Sequence, residues 1–172
     1  MVWTAPDIKP IDEPFIVDER ATLVAFLDMH RDYLLQKCAG LTGEQLARQP
    51  VSPSNLSLLG LIRHMSEVER AWFRRRILGS DLPMLYVRDD NEDADFTDVD
   101  PEQAEADYAT LLRERDLARE AVADASLDDT LVHANWRREM SVRWVYHHMI
   151  CEYAQHNGHA DLIREAIDGV KS

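Results

Sequence analysis

Hydrophobic positions fall into helical register from Asp18 onward. Leu23, Phe26, Leu27, His30, Leu34 and Leu35 recur at steps of three and four residues, the spacing that gathers side chains on one helix face. Gly40 is suited to a left-handed terminus, so a first long helix is expected to end there. Thr42-Gly-Glu-Gln45 has capping-box spacing and predicts a short helical turn stopped before Pro50. Cap candidates between Pro53 and Ser57 predict a second long helix with Leu58, Leu61, Val68, Ala71, Trp72 and Leu78 on its apolar face and Gly79 at its end. Asp100-Pro101-Glu102-Gln103 combines a cap, a first-position proline and a third-position glutamine, and starts a third helix that runs to Ala125. Leu127 to Met140 loses the helical period and reads as an irregular, hairpin-like connection. Ser141 then caps a helix unbroken from Val142 to Asp168 and closed by Gly169, roughly 40 Å long at the usual rise.

Four long helices without a convincing strand pair predict an all-α fold, a four-helix bundle over residues 18 to 172, with any site among side chains converging from facing helices. Pro6, Pro10 and Pro14 make residues 1 to 17 an N-terminal arm. Residues 81 to 100 carry eight acids and one base without a sustained period, and read as a long, solvated acidic loop with short structure around Leu82 to Val87.

Charge narrows the function. The 19 Lys+Arg stand against 32 Asp+Glu, a formal net charge of −13, which opposes binding to nucleic acid. Two cysteines, Cys38 and Cys151, form neither a disulfide framework nor a C-x-x-C pair, and Cys151 reads as a packing residue. No run has the length of a signal h-region or a membrane span, so no membrane partner is expected and the expected compartment is cytoplasmic.

The last helix carries the chemistry. With His148 at zero and 100° per residue, His159 falls at about 20°, Glu152 at about 40° and His156 at about 80°, on the arc of Val145, Met149, Leu162 and Ile163. A carboxylate among three imidazoles on an apolar face needs a counter-charge, which a metal ion supplies directly. Glu152 and His156, four residues apart, reach one ion from adjacent turns. His64 leaves the apolar face of the second helix and offers a third ligand, with a satisfied core histidine as the plainer alternative. His148 and His159 read as hydrogen-bond partners of the ligands or as general bases, while His147 points away. Arg74-Arg75-Arg76 reads as a solvated helix face, with an anion clamp as the sharper alternative. Arg143 opens the last helix and either holds an anionic group of a ligand or cofactor or pairs with the acidic surface.

The segments Ser57-Leu-Leu-Gly-Leu-Ile-Arg-His64, Glu67-Val-Glu-Arg-Ala-Trp72-Phe, Arg143-Trp144 and Glu152-Tyr-Ala-Gln-His156-Asn-Gly-His159-Ala-Asp-Leu together resemble the DinB-like/YfiT-like metalloprotein superfamily, in its actinobacterial branch of unknown function. The resemblance spans roughly residues 15 to 170. It implies a four-helix bundle, commonly a homodimer, that holds a divalent metal through His64, Glu152 and His156. Many relatives have histidine in place of Glu152; the Glu-x-x-x-His form resembles the mycothiol-dependent maleylpyruvate isomerase branch. By this resemblance zinc is the first expectation, with nickel, iron or manganese as alternatives. The implied activity is transfer of a low-molecular-weight thiol, mycothiol or bacillithiol, onto a small electrophile, with His159 or His148 accepting the proton. The rival readings are a non-catalytic metal-binding or association bundle and a metal-assisted hydrolase. Trp3, Phe15 and Phe96, outside the long helices, suggest a surface that a second copy would cover.

Overall fold

Local capping chemistry sets most of the helix starts. In the computed structural model, which describes residues 2–9, 14–133 and 137–171, Asp18 accepts a hydrogen bond from the Ala21 amide at 2.8 Å and opens α1 (Glu19–Cys38). Thr42 and Gln45 complete a reciprocal capping box on α2 (Gly43–Leu46). Ser57 Oγ accepts from the Gly60 amide at 3.0 Å and opens α3 (Leu58–Glu69). The helix does not continue as α to Gly79: from Arg70 to Ile77 it widens into a π-helix, with the Leu78 amide bonded to the Phe73 carbonyl five residues back. Arg70 and Arg74 both reach Glu114 from this segment, at 2.7 and 2.9 Å. Leu78, expected on the apolar face, is exposed beyond this change of pitch, as are Phe26 and Leu162 on their own helices.

The acidic stretch is more structured than a solvated loop. Arg88 and Asn91 form a bridge, and α4 (Ala94–Thr97) drives Ala94 and Asp95 into the interior. Pro101–Gln103 makes a 3-10 turn capped by Asp100, after which α5 (Ala104–Ala121) ends four residues short of Ala125. β1 (Thr130–His133) and β2 (Arg138–Ser141) then pair antiparallel, Thr130 opposite Ser141 and His133 opposite Arg138. Ser141 caps α6 (Val142–Asp168), and Gly169 closes it at φ 79°.

Among the described residues the fold is all-α apart from that two-stranded ribbon. α1 lies along α6 and α3 along α5, while α3 also meets α6 and α1. Leu27, Leu34 and Leu35 of α1, Leu61, Ile62 and Met65 of α3, Leu111 of α5, and Val145, Met149 and Tyr153 of α6 meet in the buried core. Each such side chain contributes about 1.5–3 kcal/mol relative to exposure. Before α1, the Ala5 amide donates to Leu41 and its carbonyl accepts from Gly40, both at 2.9 Å, so residues 3 to 5 lie against the α1–α2 turn. The expectation for Pro10 lies outside the described residues. Trp3 packs on Tyr108 and Phe96 on His64, whereas Phe15 is exposed. The aromatic argument for a second copy therefore rests on Phe15 alone. Among the described residues, no helix is long and apolar enough to cross a membrane.

Candidate metal centre

α3 and α6 bring His64, Glu152 and His156 together: one donor atom from each lies within 4.8 Å of the other two. Glu152 Oε2 stands 3.7 Å from His156 Nε2, and the His64 and His156 ring centroids are 4.7 Å apart. His156 is buried; His64 and Glu152 are half-buried, so the group sits at the rim of the core.

His64 is oriented from behind. Its Nδ1 lies 2.8 Å from Asp95 Oδ2, and Asp95 is buried. A proton on Nδ1, donated to that carboxylate, leaves Nε2 with its lone pair, the arrangement in which a carboxylate fixes the tautomer of a ligating histidine. Asp95 is itself held by Arg63, which donates to the Asp95 carbonyl at 3.1 Å, to the Ala94 carbonyl at 3.0 Å and to Asp107 at 3.3 Å. Phe96 stacks on the His64 ring at 4.5 Å. Upstream in the acidic stretch, Glu67 accepts from the Leu85 and Tyr86 amides at 2.8 and 2.7 Å.

His148 and His159 flank the three donors. His148 Nε2 is 3.5 Å from Glu152 Oε1, and its ring stacks on Trp144 and meets Trp72 at 4.4 Å. The His159 ring lies 5.5 Å from that of His156. Nδ1 of His156 and Nδ1 of His159 are both buried without a hydrogen-bond partner among the described residues. Burial, reinforced by His64 and His159, pushes His156 down to about 4; burial also lowers His148, Glu152 opposing and Arg76 adding to the effect. At neutral pH these two imidazoles are neutral, the state that ligation and proton uptake require.

The donor set fits a divalent ion. Two imidazoles and a carboxylate, one imidazole backed by a second carboxylate and one buried with an unsatisfied nitrogen, match the ligand types of zinc and of non-haem iron. Three protein donors leave positions for water or substrate.

Arg143 stands apart from this group. It pairs with Glu19 at 2.7 Å and with Asp128, and lies nine residues before Glu152, half a turn round α6. Cys151 is exposed rather than packed, and His147 is exposed as well. Sequence reasoning missed Asp95, Phe96 and Arg63. The available signals were Phe96, the sole aromatic between Tyr86 and Tyr108 in an otherwise polar run, and Arg63 beside the candidate ligand.

A family model described as mycothiol-S-transferase matches residues 22–169. No curated protein and no solved structure matches the chain.

Proposed function

Since the chain belongs to the mycothiol-S-transferase family, we propose that it transfers a low-molecular-weight thiol, mycothiol first and bacillithiol as the alternative, onto a small electrophile, with a divalent ion held by His64, Glu152 and His156. The observation that carries this reading is the convergence of those three donors within 4.8 Å, with Asp95 behind His64. Such an ion, zinc being the first choice for this donor set, lowers the pKa of a thiol presented to it.

The chain's own groups then divide the work. Asp95 holds His64 in one tautomer, and Glu152 removes one unit of charge from the site. His148, 3.5 Å from Glu152, or His159, beside His156, takes the thiol proton in this reading. Sulfur forms its bond to the electrophilic carbon with the electron pair left behind by that proton, and the leaving group departs with its own bonding pair. Trp72, Trp144 and Phe96 supply aromatic walls beside these groups. The reading includes a four-helix bundle and a homodimer. A closed association site would use His148 or His159 as a fourth donor, and neither belongs to the cluster within 4.8 Å.

The test is a panel of electrophiles offered to metal-loaded protein with mycothiol, with bacillithiol and with no thiol. Metal-dependent loss of thiol and appearance of the thioether is the expected outcome. Turnover without thiol would favour hydrolysis, and absence of turnover with either thiol would sink the transferase reading.

A further inference from the structure

The chain is strongly acidic, and each partly or fully buried arginine outside the pair Arg75 and Arg76 holds a carboxylate or a backbone carbonyl. Arg75 and Arg76 differ. Among the described residues, Arg75 hydrogen-bonds to the Met84 sulfur and Arg76 lies 4.2 Å above the Trp72 ring, and neither is ion-paired with a carboxylate. Burial and the adjacent Arg75 both press Arg76 toward losing its proton, a strain that a bound anion would relieve.

These two cations face space. A cavity of about 460 Å³ is lined by Arg75, Arg76, Met84, Val132 and His133, between the π-helical segment and β1. A second depression, lined by His64 and Trp72 and on its acidic side by Glu67, Glu92, Asp93 and Asp95, has Ala71, Arg76 and Met84 in common with the first, so these three residues form a wall shared by the two. Arg76 is thus linked to the three donors by contact. Its guanidinium covers Trp72, Trp72 meets His148 at 4.4 Å, and His148 stands 3.5 Å from Glu152. Arg74, first of the triplet, is occupied by Glu114 and does not take part.

We propose that Arg75 and Arg76 form a subsite for the carboxylate of a small reactant whose reacting atom lies toward His64, Glu152 and His156, an assignment that rests on the S-transfer reading for the identity of that reactant. A guanidinium pair at the mouth of a partly desolvated cavity is the donor arrangement best suited to a carboxylate. The apolar walls of Val132, Met84 and Trp72 suit the carbon frame that joins the carboxylate to the reacting centre. The carboxylate belongs to the electrophile where the thiol is mycothiol, which has none, and to either reactant where the thiol is bacillithiol.

Binding to the metal-free full chain tests the subsite without turnover. In calorimetric titrations, benzoate is expected to bind about ten-fold more tightly than the isosteric benzamide. Arg76→Gln should remove that preference and Arg75→Gln should reduce it, while Arg113→Gln, at an exposed arginine of α5, should leave it intact. Should Arg76→Gln fail to fold, Arg76→Lys replaces it, with a loss of roughly three-fold expected from exchanging a fork for a point charge. Equal affinity for benzoate and benzamide, or indifference to Arg76, would overturn the subsite. Turnover arms on the metal-loaded enzyme then identify the source. A lower KM for 4-(bromomethyl)benzoate than for 4-(bromomethyl)benzamide places the carboxylate on the electrophile, and a lower KM for 3-mercaptopropionate than for 3-mercaptopropanamide places it on the thiol. If no arm turns over while benzoate binding still depends on Arg76, S-transfer fails and the carboxylate subsite stands. Turnover without any carboxylate preference in binding removes the subsite and leaves S-transfer in place.

Discussion

Tyr153 and Glu152 are neighbours on α6, yet they serve two polar clusters of opposite kind. Tyr153 donates to Glu69 Oε1 at 2.8 Å, and the same carboxylate takes two bonds from Arg31, at 2.7 and 2.6 Å. Arg31 spends a further donor on Asp28 at 2.8 Å. Arg31, Glu69 and Tyr153 are all buried, and each polar group that ties them has a partner inside the protein. One residue earlier and about 100° round α6, the Glu152 cluster has two buried imidazole nitrogens without a partner among the described residues and is open to solvent at His64 and Glu152. Both clusters place charge against an apolar core, but one is closed by the protein's own atoms and the other waits for something else. Burial of charge alone therefore does not mark a functional site; the unsatisfied remainder does.

The comparison is broken most forcefully in the closed cluster. Arg31→Met leaves Glu69 buried without its cation, so we expect a loss of about 3–5 kcal/mol in chemical denaturation, while Arg31→Met with Glu69→Leu should recover most of it. His156→Gln in the metal-free protein, by contrast, should cost little at neutral pH, because an open cluster has no completed network to lose. A loss for His156→Gln as large as that for Arg31→Met would erase the distinction.

A pH titration sharpens it next. His156 is held at about 4 in the folded chain, against an ordinary value near 6.5, so the unfolded chain binds the extra proton between those two values. The parent chain therefore keeps its full stability above about pH 6.5 and loses about 3 kcal/mol of it at most as pH falls toward 4. Denaturation midpoints of the metal-free protein and of His156→Gln should lie close together at neutral pH and separate as pH falls through that window, the variant becoming the more stable chain. Parallel curves would show that the open cluster does not force His156 to stay neutral.

Both clusters were unequally legible in the sequence. The three candidate ligands could be read because their spacing within α6, and the apolar company of His64, are local facts about helices. Helix caps were legible for the same reason: Asp18, Thr42, Ser57 and Ser141 act within three residues of themselves. Asp95 was not, since its bond to His64 joins positions 31 residues apart and its own run looked like solvated acid. The Arg31–Glu69 pair, 38 residues apart, was hidden likewise. The π-helical segment escaped because its residues continue an α-like pattern, and only the backbone bond from the Leu78 amide to the Phe73 carbonyl, five residues back, reveals the wider turn.

Asp95 yields the third prediction. If it orients His64 from behind, Asp95→Asn should weaken metal binding by about 10–100-fold in chelator competition while leaving the helices intact. Nitrogen NMR of His64 should show Nδ1 protonated in the parent chain and a mixture of tautomers in the variant. Unchanged affinity and an unchanged tautomer would mean that α4 packs against the cluster without tuning it.

The smallest effect is expected from Tyr153→Phe, and it tests whether the clusters are two or one. The hydroxyl donates to Glu69, but the carboxylate keeps both bonds from Arg31 after its removal, so no charge is stranded. What is lost is one hydrogen bond to a charged acceptor in a site where no water takes its place, about 1–2 kcal/mol of stability. Glu152, one residue earlier, points about 100° away round the helix toward His148 and His156. Metal affinity of Tyr153→Phe should therefore stay within about two-fold of the parent chain, since a ten-fold change would already correspond to about 1.4 kcal/mol of coupling between the clusters. A drop of that size would mean that the Arg31–Glu69–Tyr153 network positions Glu152 through the backbone of α6, making the closed cluster part of the site rather than its foundation.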